Sequence, residues 1–411
     1  MQFFAPKEYH PGESRVPIIP DVVKRLADKG VSIAVENGMG VPSGFADEAY
    51  QNAGATIVPD RSEGLANADV VLRLRKPPLQ EVRLMKAGCI HISFLDPFNE
   101  PELVDELAAC NISAISIEMI PRTTLAQKMD ALSSQANLAG YVAAIIGAER
   151  SHKAFPMMMT PAGTIQPARV FVIGAGVAGL QAIATARRLG ARVEAFDTRP
   201  VVEEQVTSLG ARFVKVDLGE TGQTKDGYAK ELTEEQQAKQ REAMAKVCAN
   251  SDVVITTAQL FGKKAPVIIN DDMLRQMHPG SVVIDLAVET GGNVEGSKVD
   301  EEVELHGVRV VGLANLPGRV PVHASQMYAS NLAHLIESYW DAESKTMGLP
   351  LDDEIIQGCL VTHGGAVVNE QLPRPPKPAG GEQPEAPDAE EGGEPDTPEP
   401  EDSEAPKPEE G

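Results

Sequence analysis

One stretch of this chain leaves few folds open to it. RVFVIGAGVAGLQAIATARRLGARVEAFDTR, from Arg169 to Arg199, reads as an apolar strand, a glycine turn, a helix and a second strand. Gly174, Gly176 and Gly179 stand in the order GxGxxG, and Asp197 closes the second strand 21 residues beyond Gly176. Each glycine meets a separate demand: Gly174 the tight turn, Gly176 the approach of backbone amides to a pyrophosphate, Gly179 the close packing of helix on strand. The helix that opens at Val177 and Ala178 offers N–H groups and a positive dipole end to the phosphates. The combination predicts a dinucleotide site. Asp197, followed by Thr198 and Arg199, is expected at the adenosine ribose hydroxyls. A carboxylate there repels a 2′-phosphate and favours NAD over NADP; Arg199 bears the other way.

The motif sits inside a longer alternation. Val31–Val35, Asp69–Leu74, Cys89–Phe94 and Ile112–Ile117 read as strands, and Asp21–Asp28, Asp47–Ala53 and Glu100–Ala109 as helices. Such alternation implies a parallel sheet with helices on its faces. Leu125–Arg150 reads as one long connecting helix. A second unit has six strands: Arg169–Ile173, Arg192–Phe196, Arg212–Val216, Asp252–Thr256, Ser281–Asp285 and Val308–Gly312. The predicted class is α/β, with two Rossmann-like, doubly wound parallel-sheet domains joined by long helices and a disordered acidic C-terminal tail. Residues 1–125 with about 325–370 form a discontinuous first domain, because the helix Ser325–Ser338 is expected to pack back on it. Residues 126–324 hold the dinucleotide site and the connecting helix, and 371–411 are the tail. The polar stretch Asp217–Gln240 is expected as a lid over the cofactor.

Composition bears on partners. The net charge of -23 argues against nucleic acid, which requires a basic face. Residues 371–411 carry 13 acids against Arg374, Lys377 and Lys407, together with 11 of the 31 prolines, and cannot bury enough apolar surface to fold. The four cysteines form no CxxC pair, which suits free thiols in a reducing compartment. No run of about 18 apolar residues exists, so no direct insertion into a bilayer is expected. MQFFAPKEYH does not read as a signal peptide.

Three segments together carry a resemblance: PKEYHPGESRVPIIPDVVKRL, IEMIPRTTLAQKMDALSSQANLAGY, and GAGVAGLQAIATARRLGA followed by EEQVTSLGARF. They resemble the NAD(H)-binding α subunit (domain I) of proton-translocating NAD(P) transhydrogenase over roughly residues 1 to 370. The resemblance implies hydride transfer from NADH on this chain to NADP⁺ on a partner subunit, coupled to proton movement through a membrane-spanning subunit. It also implies a homodimer, cytoplasmic and peripheral at the inner face of the membrane. The second segment matches the family's positioning loop for the nicotinamide and its ribose as Arg122, Gln127 and Asp130, with Ser133 after it and Thr123, Thr124, Lys128 and Met129 between. Tyr228 matches the tip of a mobile loop; Gly227, Gln240 and Gln259 match cofactor contacts. No metal is implied. Alanine dehydrogenase is similar too, and is the alternative. That family handles a keto acid with a lysine and a histidine, whose positions here hold Arg75 and Asp96, although Arg15 is retained. His91 reads as structural. A non-catalytic NAD sensor would keep the glycines and Asp197 but have no use for the Arg122–Ser133 loop.

Overall fold

The computed structural model describes residues 1–217, 233–259 and 261–373. The chain opens with β1 (Gln2–Ala5), β2 (Ser32–Glu36), β3 (Thr56–Val58), β4 (Val70–Leu72), β5 (Ile90–Ser93) and β6 (Ser113–Ser116), which lie parallel in the order β6-β5-β4-β1-β2-β3. β7 (Met158–Thr160) and β8 (Gly163–Ile165) form an exposed antiparallel hairpin. The second sheet contains β9 (Arg169–Ile173), β10 (Arg192–Phe196), β11 (Arg212–Phe213), β12 (Val253–Thr256), β13 (Val282–Asp285), β14 (Glu301–Leu305) and β15 (Val308–Gly312). Its order is β11-β10-β9-β12-β13-β15-β14, parallel except for β14. β16 (Trp340–Asp341) and β17 (Thr346–Met347) make a short ribbon. β18 (Leu360–His363) and β19 (Ala366–Val367) then extend the first sheet, β18 pairing antiparallel with β6. The expected α/β class with two parallel-sheet domains is borne out.

Both sheets are built from short Val/Ile-rich strands such as VVIT in β12 and VVID in β13, buried throughout because helices cover both faces. Each sheet reverses its strand order beside its first strand, between β1 and β4 and between β9 and β12. The crevice at the carboxyl ends of the strands flanking such a reversal is where open α/β sheets receive ligands.

The connecting helix starts later than expected, at Ala131, and runs to Arg150. Leu125 is exposed, Gln127–Met129 is a 3₁₀ turn, and Asp130 is the N-cap. The helix is small and apolar on several sides because both cores use it. Ala131 packs into the first core, and Val142, Ala143, Ala144 and Ile146 pack into the second with Val170, Ile255 and Ile284. The helix Pro321–Tyr339 buries Tyr328, Leu332 and Leu335 in the first core. A seventh strand in the second sheet, β14, went unread because EEVEL is an acidic edge strand with one face in water. Arg212–Val216 shortens to Arg212–Phe213.

Candidate functional site

A cavity of about 460 Å³ opens where the second sheet reverses, and its wall begins at Ile173 and Gly174 at the end of β9. Gly174 has φ +97°, and a Cβ on it would press on the Thr257 hydroxyl, which donates to the Gly174 carbonyl at 3.0 Å. A Cβ on Gly179 would overlap that same carbonyl oxygen, so helix Val177–Arg188 can approach the strand only without one. Gly176 differs: nothing lies within 4 Å of where its Cβ would stand. The turn therefore leaves open space in front of a 12-residue helix N-terminus, which fits a diphosphate. Arg122, Arg199 and Arg241 also line the cavity, a local positive collar on an acidic chain.

Asp197 stands at the end of β10 with its carboxylate turned into the glycine turn. Oδ2 accepts from the Ala175 amide at 2.7 Å and Oδ1 from the Arg199 amide at 2.8 Å. The Arg199 guanidinium closes on both oxygens, Nε to Oδ1 at 2.9 Å and Nη2 to Oδ2 at 2.8 Å.

Of the residues expected from sequence, Arg122, Ser133, Gly174, Gly176, Val177, Ala178, Asp197, Thr198, Arg199, Gln240 and Gln259 line this one cavity. Gly179 lies behind the turn. Thr123, Thr124, Gln127, Lys128, Met129 and Asp130 do not line it. Gln127 is exposed, Met129 is buried in the first core, and the Lys128 carbonyl accepts from Asn331 Nδ2 at 2.8 Å. Asp130 is held as a helix cap, Oδ1 accepting from the Ser133 amide at 2.8 Å and Oδ2 from the Ser133 hydroxyl at 2.5 Å. Gly227 and Tyr228 lie outside the described residues.

The cavity also uses residues that sequence reading passed over, among them Leu132, Ala136, Gln237, Arg241 and the segment Thr257–Gln259 with Pro266–Ile268. Asn293 holds that segment, accepting from the Ala258 amide at 3.0 Å and donating to the carbonyls of Ala258 and Pro266 at 2.9 and 2.8 Å. Buried Asp285 fixes Asn293 in turn through the backbone amides of Asn293 and Val294. The available signal is VVIDLAVETGGNVE, an acid ending a buried strand and an Asn after paired glycines.

The reversal point of the first sheet is filled with ion pairs. The Glu13 side chain, fully buried, accepts from Arg15 Nε and Nη2 at 2.8 and 2.7 Å and from Arg75 Nε at 2.8 Å. Burial pushes its carboxyl up, but the Arg15 bonds and the two guanidinium charges outweigh that and hold it at about 2. Burial, with Arg73 adding to it, pushes His91 down to about 3, so it is a neutral core residue of β5. Asp96 sits at φ +54° in an exposed turn, accepting from Asn99. Neither Arg75 nor Asp96 offers the neutral-pH proton donor that reduction of a keto acid needs.

Two family models cover this architecture: Alanine dehydrogenase/PNT, N-terminal domain, over residues 4–139, and Alanine dehydrogenase/PNT, C-terminal domain, over residues 143–370. The chain is 47% identical over 379 residues to the first of the polypeptides that make up NAD(P) transhydrogenase subunit alpha in Rhodospirillum rubrum, covering 90% of this chain and 99% of the relative. It belongs to the NAD(P) transhydrogenase α-subunit family. As a member of that family it is an oxidoreductase subunit. The crystal structure of transhydrogenase from Sinorhizobium meliloti superposes with a TM-score of 0.79 at 41% identity, over 90% of this chain and 100% of that one. Alanine dehydrogenase of Bacillus subtilis is more distant than these transhydrogenases, 29% identical over 77% of this chain and 79% of its own length.

Proposed function

We propose that this chain is the NAD(H)-binding subunit of a proton-translocating NAD(P) transhydrogenase and presents NADH to an NADP(H)-binding partner subunit. The observation that carries the reading is the cavity itself. It joins the glycine turn and Asp197 on one side to Arg122 and Ser133 on the other, in a member of this family. NADH, when bound, supplies the hydride. The turn at Gly174–Gly179 holds the diphosphate, Asp197 and Gln240 the adenosine half, and Arg122, Ser133 and Gln259 the nicotinamide half. Gln127, Asp130 and Tyr228 complete the positioning set at the open edge, where the partner's nicotinamide must reach. Hydride passing directly between two nicotinamides requires no acid or base from this chain. Its contribution is orientation, which can be worth several kcal/mol of barrier, roughly 7–11 in the best intramolecular cases.

No helix among the described residues is long and apolar enough to cross a membrane. Proton movement accordingly belongs to a membrane-spanning partner, and this chain sits on the cytoplasmic side through its partners, as a homodimer. The first domain is discontinuous, 1–125 with about 325–370, a reading supported by the pairing of β18 with β6.

The test is reconstitution with a transhydrogenase NADP-binding subunit, following hydride transfer from NADPH to an NAD analogue. Transfer is expected only when both proteins are present. Absence of transfer, or alanine formation by this chain alone from pyruvate, ammonia and NADH, overturns the proposal.

A further inference from the structure

The ribose position of the nucleotide cavity already holds a side chain. A carboxylate offers about four lone-pair positions, and among the described residues four donors meet Asp197: the amides of Ala175 and Arg199, and Nε and Nη2 of Arg199. The two amide bonds belong to the turns after β9 and β10, and releasing them means rebuilding the backbone. The two guanidinium bonds are held by side-chain rotamer alone. A ribose diol brings two hydroxyl donors, the same number the guanidinium supplies. The pair is well shielded, with side chains 6% and 15% exposed, so the exchange is between strong, charge-assisted bonds rather than screened surface ones.

We propose that Arg199 is a resident competitor for the ribose site. The adenosine diol displaces its guanidinium from Asp197, and the displaced cation then stands at the ribose edge, where it weakens the discrimination against a 2′-phosphate. The inference rests on the NAD(H) reading above and adds to it the residue that sets cofactor selectivity. Asp197 alone repels a 2′-phosphate; Asp197 with Arg199 presents a nearly neutral pair. The guanidinium therefore opposes NADH, which must evict it, and assists NADPH, whose phosphate it can meet.

Removing the cation shifts the two affinities in opposite directions, which a purely structural role would not do. Full-length wild type, Arg199→Met and Arg199→Lys are titrated calorimetrically with NADH, NADPH and ADP-ribose. In Arg199→Met, NADH and ADP-ribose are expected to bind more tightly and NADPH more weakly, widening the NADH-to-NADPH preference by roughly tenfold or more, or about 1.4 kcal/mol. Arg199→Lys, which keeps the charge but loses the two-pronged fork, should fall between. If the Met variant does not fold, the Lys variant carries the test: its preference must widen. An unchanged preference, or a parallel loss of both affinities, overturns this inference alone. A wild-type chain that binds neither NADH nor ADP-ribose overturns the cofactor reading and this inference with it.

Discussion

A single carboxylate can cap a helix or hold a ligand, and at Asp130 the cap is visible. Its two oxygens take the Ser133 amide and hydroxyl, which start the helix at Ala131. Asn caps about as well as Asp, whereas Ala leaves the N–H group unsatisfied and costs about 1 kcal/mol. Asp130→Ala is therefore expected to lower stability by about that amount in urea unfolding, and Asp130→Asn to leave it near wild type. Equal losses in both would show that the charge, not the cap, matters. The glycine motif could be read from sequence because its residues are local: turn, helix and second strand lie within Arg169–Arg199. Thr257 and Asn293 could not be read this way. Thr257 reaches the turn across the sheet and Asn293 sets Ala258 from 35 residues away, so only the folded sheet brings them together.

Elements fared unevenly for a physical reason. Strands buried on both faces announce themselves as Val/Ile runs, and β9, β12 and β13 were legible on that basis. β1 is four residues, Gln2–Ala5, too short for a period to show, and β14 alternates acids against water at an edge. The connecting helix illustrates another limit: its apolar pattern runs smoothly into Leu125, and only the cap at Asp130 shows where it begins. Its packing is tighter than the pattern suggests. A Cβ on Gly140 would overlap the carbonyl of Ala178, the residue that opens the cofactor helix at the cavity wall. Gly140→Ala gains helix propensity, but the two helices must separate, and overpacking of this kind typically costs about 1–3 kcal/mol. The variant is expected to unfold at lower urea and to bind NADH more weakly, both measurable on one preparation. Unchanged stability and affinity would mean that the helices part without cost.

For the molecule as a whole, acid is the natural stress. Glu13 stays ionised in the fold to about pH 2, whereas an unfolded glutamate takes up its proton near 4.3. The unfolded chain thus binds more protons over that window, and this contribution, complete above it, is lost as pH falls toward 2. His91, neutral in the fold down to about 3, gives the same sign over a higher window: an unfolded histidine protonates near 6.5, so stability falls as pH drops from there toward 3. Urea unfolding at pH 7, 5.5 and 4 should show a steady decline, and Glu13→Gln should flatten its lower part while lowering the value at pH 7. Stability that is flat from pH 7 to 4 would contradict both assignments. The placement of β18 has a consequence for how the molecule is made. The second sheet is drawn from one continuous span, β9 to β15, and can close while the chain is still emerging from the ribosome, where domains form roughly in order of synthesis. The first sheet cannot. Its strands emerge earliest, yet β6 remains an open edge, available to any passing strand, until Leu360–His363 has been synthesised and laid against it. The region of the protein that is made first is therefore the region that is finished last.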